Sequence, residues 1–143
     1  MTDKCKGLLG LMRRANALAV GEDSTGDAVR AGKARLLLIA ADASDNARKR
    51  AMSYLTGRSA IPVELPYTKE EISAAVGTGG CSMAAVTDMG FANALMELLA
   101  QAQPDKYSAI AEETAKRCAK AQRRKRDTAA ERNKRNGKRR NGV

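Results

Sequence analysis

GEDSTGDAVRAGKARLLLIAADAS, residues 21–44, contains the two hydrophobic patterns that decide the fold. Its first half has the apolar spacing of a short helix, with Val29 on the buried side. Gly32 is expected to end this helix in the left-handed conformation. Its second half contains LLLIA, residues 36–40, a continuous apolar run that stops before Asp42 and is typical of a strand covered on both faces. A helix that leads directly into a fully buried strand predicts an α/β protein.

The same alternation of helix and strand continues on both sides of this stretch. Helical spacing of apolar residues begins near Asp3 and recurs up to Ala102. Strands are predicted at residues 18–20, 36–40, 63–65 and 83–87, and the helices between them are predicted to begin at N-caps formed by Asp23 or Ser24, Asp42 or Ser44, Thr68, and Asp88. This order predicts helices on both faces of one sheet.

The composition limits the kinds of site. The chain has one Phe, three Tyr and no Trp, so aliphatic side chains must form the core, and an aromatic platform for stacked bases is not expected. Three cysteines without a CxxC pair, and no histidine, argue against a zinc site and predict reduced thiols in a soluble, cytoplasmic protein. The apolar stretch near the N-terminus is too short for a signal peptide or a membrane span, so we expect no membrane contact.

Charge is distributed unevenly along the chain. Residues 104–143 contain 14 Lys and Arg against 5 Asp and Glu, whereas residues 1–103 contain 12 against 11. We therefore divide the chain into a nearly neutral domain, residues 1–103, and a basic tail, residues 104–143. A thin apolar stripe from Tyr107 to Cys118 predicts that about three turns of the tail are helical and pack on the domain. From Arg123 onward, where apolar surface is scarce, the tail is predicted to be disordered in isolation and to become ordered only on RNA.

Catalytic constellations are scarce in the sequence. The lack of histidine excludes a Ser–His or Cys–His nucleophile, and GTGG at residues 77–80 lacks the lysine and the length of a phosphate-binding P-loop. The carboxylates of Glu22, Asp23 and Asp27 fit a helix N-terminus, which each would stabilise by a few tenths to ~1 kcal/mol, better than an acid–base pair or a metal site. The sequence therefore predicts a protein that is not an enzyme and holds no metal.

Nucleic acid is the partner that the charge favours. The cations of the tail can neutralise several phosphates and release their counterions, which gives binding that weakens steeply as salt rises. Phosphate contacts carry no sequence information, so selectivity must come from the neutral domain. We predict RNA binding in which the like-charge block Arg123, Arg124, Lys125 and Arg126 grips phosphates.

Four segments resemble one known family in their order and spacing. They are LLGLMRRANALAVGED at residues 8–23, AVRAGKARLLLIAADASDN at 28–46, IPVE at 61–64 and AVTDMGFA at 85–92. Together they resemble the bacterial YlxQ-type branch of the kink-turn-binding ribosomal protein superfamily. The resemblance implies a three-layer α/β/α sandwich with a mixed four-stranded sheet, no catalytic activity and no cofactor.

The resemblance also implies where RNA binds. In kink-turn-binding members, RNA meets the N-terminus of the second helix, with a Gly-x-Asn-Glu-x-x-Lys pattern, and the loop before the last strand. The positions that match here are Gly21, Asp23, Ser24 and Asp27 in the helix, Thr78, Gly79, Gly80, Cys81 and Ser82 in the loop, and Glu22, which completes a Gly-Glu-Asp sequence similar to that of the YlxQ-like branch. Asp23 replaces the asparagine of the pattern, Ser24 its glutamate and Asp27 its lysine.

These departures lead to a hypothesis about how the protein reads RNA. An ionised Asp only accepts hydrogen bonds and repels phosphate, but it suits base edges that present donors, such as guanine N1–H and N2–H₂. We expect a neutral RNA-recognition site, called the reader, at the helix end. Lys33 and Arg35 are the cations expected nearby, with Arg13, Arg14 or Arg48 as further candidates, and the tail is expected to supply most of the attraction. We expect a monomer, and its expected ligand is ribosomal or other structured RNA, with kink-turns among the candidates. The alternative is a protein-interaction module on the ribosome or a translation factor, in which only the tail contacts RNA.

Overall fold

The computed structural model describes residues 2–79 and 81–141, with side chains described for residues 4–79 and 81–130. Helices and strands alternate up to the last two helices, as the hydrophobic pattern predicts. The elements are α1 (Thr2–Arg14), β1 (Leu18–Val20), α2 (Glu22–Arg30), β2 (Leu36–Ile39), α3 (Asp45–Leu55), β3 (Ile61–Glu64), α4 (Lys69–Val76), β4 (Met83–Val86), α5 (Met89–Ala102) and α6 (Pro104–Asn141).

The four strands form one mixed sheet in the order β1-β4-β2-β3. β4 is antiparallel to both of its neighbours, with Leu18 and Leu36 opposite Val86, whereas β2 and β3 are parallel. α2 and α3 pack together on one face, α1 packs with α4 and α5 on the other, and α6 packs along α5. The predicted three-layer α/β/α sandwich with a mixed four-stranded sheet is confirmed.

The two parallel strands differ in burial. Every residue of β2 is at most 6% exposed, because strands flank both of its edges and helices cover both of its faces. β3 is an edge strand that begins at Ile61, two residues earlier than predicted, and therefore includes Pro62. The N–H groups of Ile61 and Leu65 point toward β2, so the backbone nitrogen of Pro62 points outward. A proline is tolerated there because its missing N–H leaves no ladder bond unmade.

Three of the predicted N-caps are present. Ser44, Thr68 and Asp88 each accept a hydrogen bond from the backbone N–H three residues on, at 3.1, 3.2 and 2.9 Å. Asp42, the alternative to Ser44, instead accepts from the N–H of Lys69 at the start of α4 (2.8 Å). Local capping chemistry therefore fixes the starts of α3, α4 and α5, and Asp42 also ties α4 to the segment that precedes α3.

The predicted cap of α2 is wrong. The helix begins at Glu22, so neither Asp23 nor Ser24 precedes it, and Gly21 is the N-cap residue. Gly21 has a φ of +94°, which glycine adopts without steric cost, and its N–H donates to the carbonyl of Met83 (3.1 Å). The conformational freedom of glycine, rather than a side-chain cap, therefore allows the chain to pass directly from β1 into α2.

The helix α6 differs most from the sequence prediction. Its first part packs on the sandwich as predicted: Tyr107 and Cys118 are buried, and the Tyr107 hydroxyl donates to the carbonyl of Glu64 in β3. Burial raises the pKa of Tyr107 to about 12. From Arg123 onward, where the sequence predicts disorder in the absence of RNA, the structure continues the helix to Asn141. That segment is rich in Ala, Lys, Arg and Glu, which are good helix formers, and it extends a helix that packing has already nucleated.

Candidate nucleic-acid interface

A cleft of about 630 Å³ opens at the end of the sheet where β4 begins. We refer to this opening as the cleft. The N-terminal ends of α2, α3 and α4 all border it. Because a helix N-terminus carries partial positive charge and unpaired N–H groups, three such ends favour electronegative atoms in the cleft. The lining residues are Glu22, Ser44, Ala47, Lys69, Glu70, Ser73, Gly79 and Ser82.

The cleft brings together the two surfaces that the family resemblance implies. Glu22 comes from the N-terminus of α2, and Gly79 and Ser82 come from the loop before β4. Thr78 is exposed in the same loop, and Gly80 lies outside the described residues. The two segments are far apart in the sequence, and they meet because β1, which leads into α2, pairs with β4, which follows the loop.

The loop before β4 is held in place by hydrogen bonds of Cys81. Its N–H donates to Ser73 Oγ of α4 (3.0 Å), and its thiol donates to the carbonyl of Met83 (3.3 Å). Burial raises the pKa of the Cys81 thiol, as expected for an inert structural cysteine. The buried Cys81 therefore anchors the loop, and its neighbours Gly79 and Ser82 line the cleft.

The first turn of α2 offers N–H groups to a ligand. The first helical hydrogen bond runs from the Thr25 N–H to the Gly21 carbonyl (3.0 Å), so the N–H groups of residues 22–24 precede the helical ladder. No side-chain cap at Gly21 satisfies them. Asp23 and Ser24 are exposed beside these groups. This helix end therefore presents backbone donors together with one exposed carboxylate acceptor.

Two of the three carboxylates in this region are paired with arginines. Glu22 Oε2 lies 2.6 Å from Arg50 Nη1 of α3, and Asp27 Oδ1 lies 2.7 Å from Arg30 Nη2. Asp23 forms no ion pair among the side chains that the structure describes. The two arginines offset the repulsion that Glu22 and Asp27 would exert on a phosphate. Arg30 lies three residues after Asp27 on α2, as helical spacing allows, whereas no local sequence pattern indicates that Arg50 pairs with Glu22.

The pairing of Glu22 with Arg50 depends on close packing of α2 on α3. Gly26 lies in the middle of α2, and a Cβ at this position would lie 2.8 Å from the ring of Tyr54 in α3. Glycine costs a helix roughly 0.5–1 kcal/mol relative to alanine, and here it allows the aromatic ring to reach the backbone. This long-range contact explains why the charge pair has no signature in the local sequence.

The structure separates Lys33 and Arg35 from the cleft, and their predicted position near the reader is wrong. Arg35 precedes β2, and its N–H donates to the carbonyl of Val86 at the last residue of β4 (2.7 Å), whereas the cleft lies where β4 begins. Lys33 is exposed beyond the C-terminal end of α2. The reason is strand direction: β2 and β4 are antiparallel, so the start of β2 lies at the end of β4.

Arg35 instead borders a second opening of about 460 Å³ between the sandwich and α6. We refer to this opening as the groove. Arg124 of the predicted phosphate-gripping block also lies there, whereas Arg123, Lys125 and Arg126 are exposed on α6 outside this lining. The lining residues are Ala34, Arg35, Ser59, Met89, Arg117, Lys120, Ala121 and Arg124. These predicted cations are thus divided among the groove, the rest of the α6 surface and, for Lys33, the segment that follows α2.

Acidic and sulfur ligands are dispersed over the described part of the chain. Within it, no three His, Cys, Asp or Glu residues are grouped so that they could hold a metal ion. No helix in the same part is both long and apolar enough to cross a membrane.

Comparison with known proteins identifies relatives over the sandwich. The model of the family described as ribosomal protein L7Ae/L30e/S12e/Gadd45 matches residues 3–96. The chain is 38% identical over 96 residues to "RNA-binding protein YlxQ" of Bacillus subtilis (strain 168), covering 64% of this chain and 91% of that protein. It is 31% identical over 96 residues to "RNA-binding protein YlxQ" of Enterococcus faecium, covering 67% and 91%. The resemblance to the YlxQ-type branch is confirmed.

Two solved structures are similar in fold. A protein with unknown function from Bacillus halodurans C has a TM-score of 0.60 and 29% sequence identity, over 66% of this chain and 95% of that chain. The Giardia lamblia 15.5kD RNA binding protein has a TM-score of 0.53 and 19% identity, over 67% and 82%. At that identity the second likeness supports the fold alone.

Proposed function

Because the chain belongs to the ribosomal protein L7Ae/L30e/S12e/Gadd45 family, we propose that it is a non-catalytic protein that binds structured RNA through the cleft. The names of its relatives from Bacillus subtilis and Enterococcus faecium support RNA as the ligand. One observation carries the assignment to the cleft: the open N-terminus of α2 and the loop before β4 border a single opening. These are the two surfaces that contact RNA in kink-turn-binding members.

The chemistry of the cleft suits base edges better than a phosphate chain. Its charges are balanced, with Lys69 and Glu70 in the lining and Glu22 paired with Arg50. Backbone N–H groups of α2 donate, and the exposed Asp23 accepts from base donors such as guanine N1–H and N2–H₂. Selective contacts of this kind require unpaired or sheared bases, which structured RNA presents.

In this proposal the two parts of the chain have different tasks. Residues 1–103 form the domain that recognises RNA bases, and the basic tail, residues 104–143, binds phosphates. The RNA is ribosomal or another structured RNA, kink-turns included, and the protein acts as a cytoplasmic monomer. The net charge of this segment supports the division. Its cations attract RNA phosphates whatever the base sequence, so selectivity must come from the nearly neutral domain.

The test compares two substitutions of an exposed carboxylate in the full-length chain. Asp23→Ala removes the acceptor beside the cleft, and Glu97→Ala on α5 removes one negative charge from a residue that lines neither opening. Dissociation constants are measured for a kink-turn RNA and for a duplex of equal length. We expect Asp23→Ala to lower the preference for the kink-turn RNA by about 10-fold, the scale of one good base contact, and Glu97→Ala to leave it unchanged.

Two results would contradict the proposal. One is an intact chain that binds both RNAs equally, with the same ratio in Asp23→Ala. That result would favour the alternative in which the sandwich binds a protein of the translation apparatus and only the basic tail contacts RNA. The other is an intact chain that binds neither RNA at low salt.

A further inference from the structure

We infer that the groove is a second RNA contact, which binds the phosphodiester backbone at the end of the sheet opposite the cleft. This inference rests on the proposed RNA binding and adds a specific site to it. The groove has four cations in its lining, Arg35, Arg117, Lys120 and Arg124, and no carboxylate. Such a lining attracts a polyanion.

The cations converge because two parts of the fold meet at the groove. On α6, Arg117, Lys120 and Arg124 follow helical spacing of three and four residues and extend over about 10 Å of one helix face. Arg35 approaches from the sandwich, at the start of β2. Tyr107 packs α6 on the sandwich and fixes the position of the helix. The cations of α6 therefore have defined positions relative to Arg35.

The charges in the groove are largely uncompensated. Arg117 is held by Glu113 Oε1 (3.0 Å) and by the carbonyl of Ser59, which orients its guanidinium. Arg35, Lys120 and Arg124 have no carboxylate partner among the side chains that the structure describes. Like charges around one opening repel each other, and a bound polyanion relieves that repulsion.

The composition of the groove favours phosphate over a protein partner. Three of the four cations are arginines, whose planar guanidinium groups match phosphate oxygens in bidentate hydrogen bonds. Its apolar residues are Ala34, Met89 and Ala121, with no aromatic anchor of the kind that dominates protein interfaces. The groove therefore fits a phosphodiester chain, whose phosphate charges it recognises without contacting the bases.

The experiment compares two triple variants of the full-length chain that remove the same charge. The groove variant is Arg35→Gln, Lys120→Gln and Arg124→Gln. The control variant is Lys33→Gln, Lys125→Gln and Arg126→Gln, which also changes one exposed cation of the sandwich and two of α6 but leaves the groove lining intact. Binding to the kink-turn RNA and to the duplex is measured from low to high salt, after matched thermal melting curves establish equal folding.

We expect the groove variant to weaken binding on the order of 100-fold at low salt and to reduce the slope of log K against log salt by about 2 to 3, since each lost phosphate contact removes about 0.7 to 0.9. The control variant is expected to lose about tenfold less affinity. Equal losses in the two variants would overturn the groove as a site while leaving RNA reading by the cleft intact. No RNA binding by the unaltered chain would overturn both proposals.

Discussion

The cleft and the groove lie at opposite ends of β4 and differ in how their charges are arranged. In and beside the cleft, Glu22 is paired with Arg50, and Lys69 lies in the same lining as Glu70. In the groove, the charged residues of the lining are all cations. Paired charges and backbone donors suit discrimination between bases, whereas unpaired cations suit attraction that is independent of sequence. We therefore propose that the cleft provides selectivity and that the groove, formed by the sandwich and α6, provides affinity.

The largest expected effect concerns the helix that builds the groove. Tyr107→Ala removes a fully buried ring between α6 and the sandwich, and we expect it to lower the free energy of unfolding by about 3–5 kcal/mol. Tyr107→Phe keeps the ring and loses only the hydrogen bond to the Glu64 carbonyl, at about 1 kcal/mol. Urea unfolding measures both. Unchanged stability in Tyr107→Ala would mean that α6 does not belong to the core.

The second effect separates the end of α6 from its docked part. A chain that ends after Gln122 keeps Tyr107 and Cys118 but loses Arg123, Arg124 and the cations that follow. We expect RNA affinity at low salt to fall on the order of 100-fold or more, with the preference between RNAs retained. Binding titrations with the kink-turn RNA and the duplex check this. A lost preference would show that the tail takes part in reading.

A third, smaller effect tests the charge balance of the cleft. Arg50→Gln leaves Glu22 without its partner, and we expect RNA affinity to fall by roughly 3- to 10-fold, because an unpaired carboxylate repels nearby phosphate. The double variant Arg50→Gln with Glu22→Gln is expected to recover most of the loss. A double-mutant cycle of dissociation constants measures the coupling, and additive effects would contradict it.

The smallest effect concerns α4, which forms one wall of the cleft. The ion pair with Lys6 and the hydrogen bond from the Thr68 N–H hold the pKa of Glu71 below its ordinary value. Stability from this carboxylate is therefore present above the ordinary pKa, about 4.3, and is lost as pH falls through the lowered value. Thermal melting at a series of pH values should show a smaller acid loss in Glu71→Gln than in the unaltered chain. Identical acid profiles would contradict the assignment.

Much of the fold follows from local sequence patterns. The apolar run at residues 36–40, the capping box at Thr68 and the left-handed Gly32 each depend on neighbouring residues, and the structure has all three features. Strand direction and helix packing are not local. They decide that Arg35 lies far from the cleft and that Arg50 lies beside Glu22.

The two segments that border the cleft could be predicted from the sequence, but the residues that the fold brings next to them could not. The resemblance indicated the N-terminus of α2 and the loop before β4, and the two meet at the cleft. Neither the sequence of the sandwich nor that of α6 predicts the groove by itself, because Arg35 and Arg124 come together only when α6 packs on the sandwich. Composition indicated the excess charge of the tail but not which side of the helix faces the sandwich.

One measurement tests the separation of selectivity from affinity most directly: the salt dependence of binding to the kink-turn RNA and to the duplex, for Asp23→Ala and for the groove variant. We predict that Asp23→Ala lowers the ratio of the two affinities and leaves the salt slope unchanged, whereas the groove variant lowers the slope and leaves the ratio unchanged. If both variants change the same quantity, the cleft and the groove do not have separate tasks.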